Sequence, residues 1–255
     1  MLTSAKNPRI QRIRKLQSSA RTRREEAAFV VEGVRLVEET SMAGWQPELV
    51  LFTDDINDRA QKTVDQFRAI GIETTSVSPQ VMRAASDTQT PQGILAVLPI
   101  PEWEFPADPE FVLVLDGVRD PGNLGTLLRT ALAAGVQAVI LPPGGADAFS
   151  PKVVRSGMGT HLKLPILTMD WKTCGPRLSG INIFLADSAE GQPHFEAAFK
   201  SPLALIIGGE AQGAGSQASG LATKRVHIPM AGKTESLNAA IAGAILMFEV
   251  VRQRG

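Results

Sequence analysis

The chain has no tyrosine, one cysteine and three tryptophans among 255 residues, and its formal net charge is zero. A lone thiol, Cys174, excludes an internal disulfide, so no cystine framework holds this fold together. No stretch reaches the roughly 18 uninterrupted apolar residues of a membrane span; the apolar run from Ala239 is broken at Glu249. The opening MLTSAKNPRIQRIRK places charges where a secretory leader needs an apolar run, which predicts a soluble, cytoplasmic protein. His161, His194 and His227 are scattered without metal-ligand spacing, and there is no nucleophile elbow or P-loop, so no metal is expected. Scarce aromatics leave few platforms for base stacking, so any nucleic-acid partner would have to be recognised through phosphate contacts and shape.

What is present divides the chain. With 44% hydrophobic residues it can bury one large core or two modest ones. Pro99, Pro101, Pro106 and Pro109 are spaced as neither a helix nor a central strand tolerates, which marks 99–110 as a linker. Before it, apolar runs at 28–31, 49–52 and 94–98 read as strands among helical patterns at 33–43 and 57–70, a small α/β unit over 1–98. After it, runs at 111–115, 138–141, 181–186 and 203–208 alternate with helical segments, which predicts a mainly parallel sheet covered on both faces over 111–255. Charge is uneven: residues 1–24 carry Lys6, Arg9, Arg12, Arg14, Lys15, Arg21, Arg23 and Arg24 and no acid. The block suits a phosphate backbone, but Ile10, Ile13 and Leu16 recur at helical spacing, so a solvated amphipathic helix fits equally well.

Three constellations carry possible chemistry. The strand FVLVLDGV leads into Asp120-Pro121-Gly122-Asn123 and a helix with Leu124, Leu127 and Leu128 on one face, which makes Asn123 a candidate N-cap and directs Arg129 off the apolar stripe. The turn Gly208-Gly209-Glu210-Ala211-Gln212-Gly213 follows LALIIG, at the strand end where open α/β sheets bind ligands. Ile228 to Asn238 leads into AAIAGAILMFEVV, with Ser236 as the candidate cap and Asn238 at N2, a polar position that capping leaves unexplained. Gly213 to Ala218 formally fits a dinucleotide fingerprint, the basis of an oxidoreductase reading, but it starts five residues past the strand and no helix is expected to open on it. Cys174 falls in a loop-like stretch with no base partner.

In this order, LDGVRDPGNLGTLLRTALAAGV, ALIIGGEAQG and IPMAGKTESLNAAIAGAILMFEVVRQ resemble the three signature motifs of the SpoU (TrmH-like) RNA ribose 2′-O-methyltransferases of the SPOUT superfamily. SPKVVRSGMGTHLKLPI, FVVEGVRLVEE and PQGILAVL are similar to other parts of the family, so the resemblance spans nearly the whole chain. It implies an α/β trefoil-knot methyltransferase domain, a smaller N-terminal ribosomal-protein-like RNA-binding domain, S-adenosyl-L-methionine as cofactor, and a homodimer. Its motif residues fall on Asn123, Arg129, Glu210, Ser236 and Asn238 as the catalytic set, with cofactor contacts around Gly208, Ile228, Met230 and Leu237 and, beside them, the 186–188 loop. Candidate RNA contacts are Arg9, Arg12, Arg23, Lys152 and Arg155. Ribosomal RNA is the expected substrate, with tRNA, or a non-catalytic RNA binder of the same fold, as the alternatives. Pro91 stands where relatives often carry histidine, and Ala134 where they often carry an aromatic.

Overall fold

The computed structural model describes residues 1–188, 190–210, 213–232 and 236–255. Its first elements are α1 (Pro8–Ser18), α2 (Ala20–Glu26), β1 (Ala28–Glu32), α3 (Val34–Met42), β2 (Leu49–Phe52), α4 (Asp58–Ala69), β3 (Thr74–Ser76), α5 (Pro79–Ala85) and β4 (Ile94–Pro99). After a stretch without helix or strand come β5 (Phe111–Asp116), α6 (Pro121–Ala133), β6 (Ala138–Leu141), α7 (Pro151–Gly157), β7 (Ile166–Thr168) and α8 (Trp171–Arg177). The remainder is β8 (Asn182–Asp187), β9 (Gln192–Pro193), β10 (Leu203–Gly208), α9 (Ser216–Leu221), β11 (Lys224–His227) and α10 (Ala239–Arg254). The chain forms two compact units, Met1–Glu102 with Phe149–Leu162, and Trp103–Ala148 with Lys163–Gly255.

In the first unit the sheet order is β1-β4-β2-β3, with β4 antiparallel to both neighbours and β3 parallel to β2. Successive side chains of a strand face opposite ways. Ala28 and Val30 accordingly join the core made with Ile10, Ile13 and Leu16 of α1 and Val81 and Met82 of α5. Phe29, between them, packs its ring against that of Phe149 instead, centroids 5.0 Å apart and the planes tilted by 58°. The three apolar residues of α1 are all buried, so the amphipathic reading of the N-terminal block holds; each contributes about 1.5–3 kcal/mol of burial. Arg23 is only 4% exposed, and its guanidinium donates to the carbonyls of Leu16 and Gln17 at the end of α1. It satisfies carbonyls that a helix end leaves without partners, and this corrects its reading as a surface RNA contact. Helix α7 is supplied to this unit from within the stretch 111–255: Val153 and Val154 are buried, Arg155 pairs with Asp87 at 2.7 Å, and Trp45 Nε1 donates to the carbonyl of Leu162 at 3.1 Å.

The second unit is built on a seven-stranded parallel sheet ordered β7-β6-β5-β10-β8-β11-β9. Its central strands are buried on both faces, as their unbroken apolar runs require. In register, Gly208 ends beside Asp116, so the loops after β5 and β10 leave the sheet together. Helix α10 packs on α6 and β10, and Gly243 permits the approach, because a Cβ there would overlap a methyl of Leu127. Two expectations change. Cys174 is buried inside α8, not in a loop, and α9 does open at Gly215, within the segment that formally fits the dinucleotide fingerprint. Among the described residues, no helix is long and apolar enough to cross a membrane.

Candidate active site

The loop after β5 turns at Gly117 (φ 69°) and enters α6 with Asp120 as N-cap, its carboxylate accepting from the Asn123 N–H at 2.8 Å, and Pro121 in the first helical turn. Asn123, the N-cap candidate in the sequence, is therefore not the cap, and its side chain is free for other work. Its Nδ2 donates to Glu210 Oε1 at 2.7 Å, and its Oδ1 accepts from Asn238 Nδ2 at 3.0 Å. Asn238 is itself the N-cap of α10: its Oδ1 accepts from the N–H groups of Ala240 (2.9 Å) and Ile241 (3.3 Å), so the cap assigned to Ser236 belongs to Asn238. The cap orients one amide and that amide orients the next, giving a one-way run from the α10 backbone through Asn238 and Asn123 to the carboxylate.

Glu210 also approaches the Arg119 N–H, at 3.4 Å from Oε2. Burial acts to raise its pKa, but the Asn123 amide and backbone N–H groups, including those of Arg119 and Asp120, outweigh it and hold the carboxyl below its ordinary value. Glu210 is thus anionic at neutral pH. It is placed by Gly209, where a Cβ would overlap the carbonyl oxygen of Gly117, and by Asp116, whose Oδ2 accepts from the Gly215 N–H at 2.7 Å.

Beside this run lies a cavity of about 390 Å³. All four sequence-read cofactor positions, Gly208, Ile228, Met230 and Leu237, line it, as do Glu210, Ser236 and the 186–188 loop. Sequence reasoning missed Arg225, which reaches the same cavity and pairs with Asp187 at 2.8 Å. The signal was faint, since β11 reads KRVH and only Val226 of it is buried. Ala211, Gln212, Lys233, Thr234 and Glu235, which belong to the motif turns, lie outside the described residues. Among those described, no group of three or more His, Cys, Asp or Glu side chains is arranged to hold a metal ion.

Arg129 is exposed on α6 and has no polar partner among the described residues. Six residues beyond Asn123, it is about 120° round the helix and about 9 Å along it, so the structure does not bring it into the Asn123–Glu210–Asn238 run. Of the residues read as RNA contacts, Arg9 pairs with Glu73, Arg12 with Glu26 and Glu48, and Arg155 with Asp87, while Lys152 is exposed on α7. The block's exposed side chains without a polar partner among the described residues are Lys6, Arg14, Lys15 and Arg24. Periodicity alone could not separate these from Arg9 and Arg12, because the partners Glu73 and Glu48 lie elsewhere in the chain.

The SpoU rRNA Methylase family pattern matches residues 110–248, and an MRM3-like substrate binding domain matches residues 7–96. The chain is 34% identical over 251 residues to the 23S rRNA (guanosine(2553)-2′-O)-methyltransferase RlmP of Bacillus subtilis, covering 98% of each. Its fold matches the AdoMet-bound rRNA methyltransferase from Sinorhizobium meliloti with a TM-score of 0.88 at 29% identity, over 98% of this chain and 97% of that one. It also matches the SpoU methyltransferase AviRb from Streptomyces viridochromogenes, in complex with AdoMet, with a TM-score of 0.89 at 28% identity, over 98% of each.

Proposed function

From the premise that this chain belongs to the SpoU rRNA methylase family, we propose how its cavity serves methyl transfer from S-adenosyl-L-methionine to a ribose 2′-hydroxyl of RNA, with ribosomal RNA as the substrate. The observation that carries the proposal is the cavity at the carboxyl ends of β8, β10 and β11, lined by Glu210, the carboxylate on which the Asn238–Asn123 run ends. Its volume falls in the range of cofactor pockets, roughly 300–1,000 Å³. Its lining combines apolar side chains (Ile207, Ile228, Leu246) with loop backbone at Gly208 and Gly209, which suits an adenine edge and ribose. Gly208, Ile228, Met230 and Leu237 would hold the cofactor, which supplies an electrophilic methyl group on a sulfonium.

A ribose hydroxyl is a weak nucleophile, so its oxygen must be aligned and its proton must have somewhere to go. Glu210, kept anionic, fixes the loop after β10 through Asn123, and Ser236 borders the same space. A guanidinium keeps its proton at neutral pH and presents a rigid fork. Arg129 therefore acts as a bidentate clamp on the substrate phosphate that orients the hydroxyl, with water or phosphate accepting the proton. The unit made of residues 1–102 and 149–162 binds RNA, and the unit made of 103–148 and 163–255 carries the chemistry. The exposed Lys152 and the cations of α1 contribute phosphate contacts, and Arg9, Arg12 and Arg155 are able to exchange carboxylate for phosphate partners. Ile241, Ile245, Phe248 and Val251 form an exposed apolar arc on α10 that supports a homodimer.

The test is methyl transfer from labelled S-adenosyl-L-methionine to unmodified ribosomal RNA and, separately, tRNA, followed by digestion to nucleosides and mass identification. A 2′-O-methyl nucleoside that disappears with Arg129→Ala supports the proposal. Incorporation only into tRNA overturns the substrate, and RNA binding without incorporation favours a non-catalytic binder.

A further inference from the structure

The first unit has a cavity of its own, of about 360 Å³, where β2 ends and β4 begins. Arg83 and Asp55 both line it, both are exposed, and neither has a polar partner among the described residues, so they do not pair with each other. This contrasts with Arg9, Arg12, Arg59 and Arg155 of the same unit, each of which has recruited a carboxylate. Gln89 and Gln92 add amides, and Met82 and Pro79 add an apolar wall.

The surrounding loop is held in place in advance. Glu32, at the end of β1, accepts from the hydroxyls of Ser86 and Thr88 and from the Asp87 N–H. Gln92 Oε1 accepts from the Val34 N–H at 2.9 Å, which commits its oxygen to the protein and leaves its NH₂ without a partner among the described residues. Gly93 completes the turn at φ 78°, where a Cβ would overlap Thr53 Oγ1, so only glycine lets the chain pass.

A cavity with an unpaired cation and an unpaired carboxylate suits a ligand with an anionic part and an N–H edge. Bare phosphate gains nothing from Asp55, and a simple cation is repelled by Arg83. A nucleotide satisfies both, and the volume admits one. We propose that this cavity seats one unstacked nucleotide of single-stranded RNA, with Arg83 on its phosphate and Asp55 accepting from the N–H groups of its base. Guanine fits best, because its ring N–H and amino group lie side by side to meet both oxygens of a carboxylate. The inference rests on the reading of this chain as an RNA methyltransferase, and it names a surface of the RNA-binding unit apart from the α1 cations.

The experiment measures binding of a fluorescein-labelled random-sequence RNA 10-mer to the full chain by anisotropy across salt concentrations, with S-adenosylhomocysteine binding followed by calorimetry. Arg83→Ala is expected to weaken the 10-mer about tenfold and to lower the salt slope by about 0.7, the value of one single-strand phosphate contact, with S-adenosylhomocysteine affinity unchanged. Guanosine monophosphate should compete better than the other three nucleotides, and Asp55→Asn should remove that preference. If Arg83→Ala and Asp55→Asn bind within twofold of wild type while Arg14→Ala weakens binding, the cavity proposal is overturned and the methyltransferase reading stands. If the wild-type chain binds neither RNA nor S-adenosylhomocysteine, that reading fails and the cavity proposal fails with it.

Discussion

Asn238 uses its two ends for different purposes: the oxygen caps α10 and the nitrogen orders Asn123. Asn238→Ala should therefore lower stability by about 1 kcal/mol, the usual cost of a lost cap, and reduce kcat as well. Asn238→Ser, which can still cap, should regain the stability and not the turnover; equal turnover in Ser and wild-type proteins would dismiss the hydrogen-bonded run as catalytic scaffolding. Arg129→Lys keeps the charge but loses the fork, and kcat/KM is expected to fall on the order of 10- to 100-fold. A further residue-scale effect concerns acid. Glu249, buried on α10, accepts from Arg252 Nε (2.8 Å) and Nη2 (2.7 Å) and from Gln253 Nε2 (2.7 Å). The Arg252 hydrogen bonds, opposed by burial and aided by Gln253, hold its pKa at about 2 in place of 4.5. A depressed carboxyl stabilises the fold above its unfolded value and ceases to do so as pH falls through the folded one. Thermal melts should thus lose stability between pH 4.5 and 2, and Glu249→Gln should flatten that limb while lowering the neutral-pH midpoint.

Among the elements, those legible in the sequence were the ones whose burial follows a simple period. The runs that became β1, β2, β4, β5, β6, β8 and β10 are apolar because both faces of those strands are covered, and α1 carries its apolar residues at helical spacing. Short edge strands left no comparable trace: β3 reads TTS and β9 only QP. Caps were misplaced by a few residues because Ser, Asp and Asn are interchangeable at a helix start, and only the partner across the fold decides between Asp120 and Asn123, or between Ser236 and Asn238. The motif positions were readable from resemblance, yet the direction of the Asn238–Asn123–Glu210 hydrogen bonds depends on Asn123 meeting partners 87 and 115 residues further along the chain. No local pattern encodes that. Arg23 shows the opposite error, since its charge suggested solvent while its place after α1 drew it onto the carbonyls of Leu16 and Gln17.

At the scale of the whole molecule, α10 is apolar towards α6 and apolar again on its far side, where Phe248 is 49% and Ile241 51% exposed. An exposed apolar arc this size is usually an interaction surface. If the proposed homodimer forms through this arc, the wild type should sediment as a dimer and Phe248→Glu as a monomer at equilibrium; an unchanged mass for both would remove α10 from the interface. The helix that completes the first unit has a different consequence, one of timing. Phe149 covers Phe29 only after β5, α6 and β6 have been made, so the whole stretch Trp103–Ala148 is synthesised between Met1–Glu102 and the segment it packs against. At roughly 5–20 residues per second, the nascent unit spends seconds with an open aromatic face, which is its period of greatest need for a chaperone.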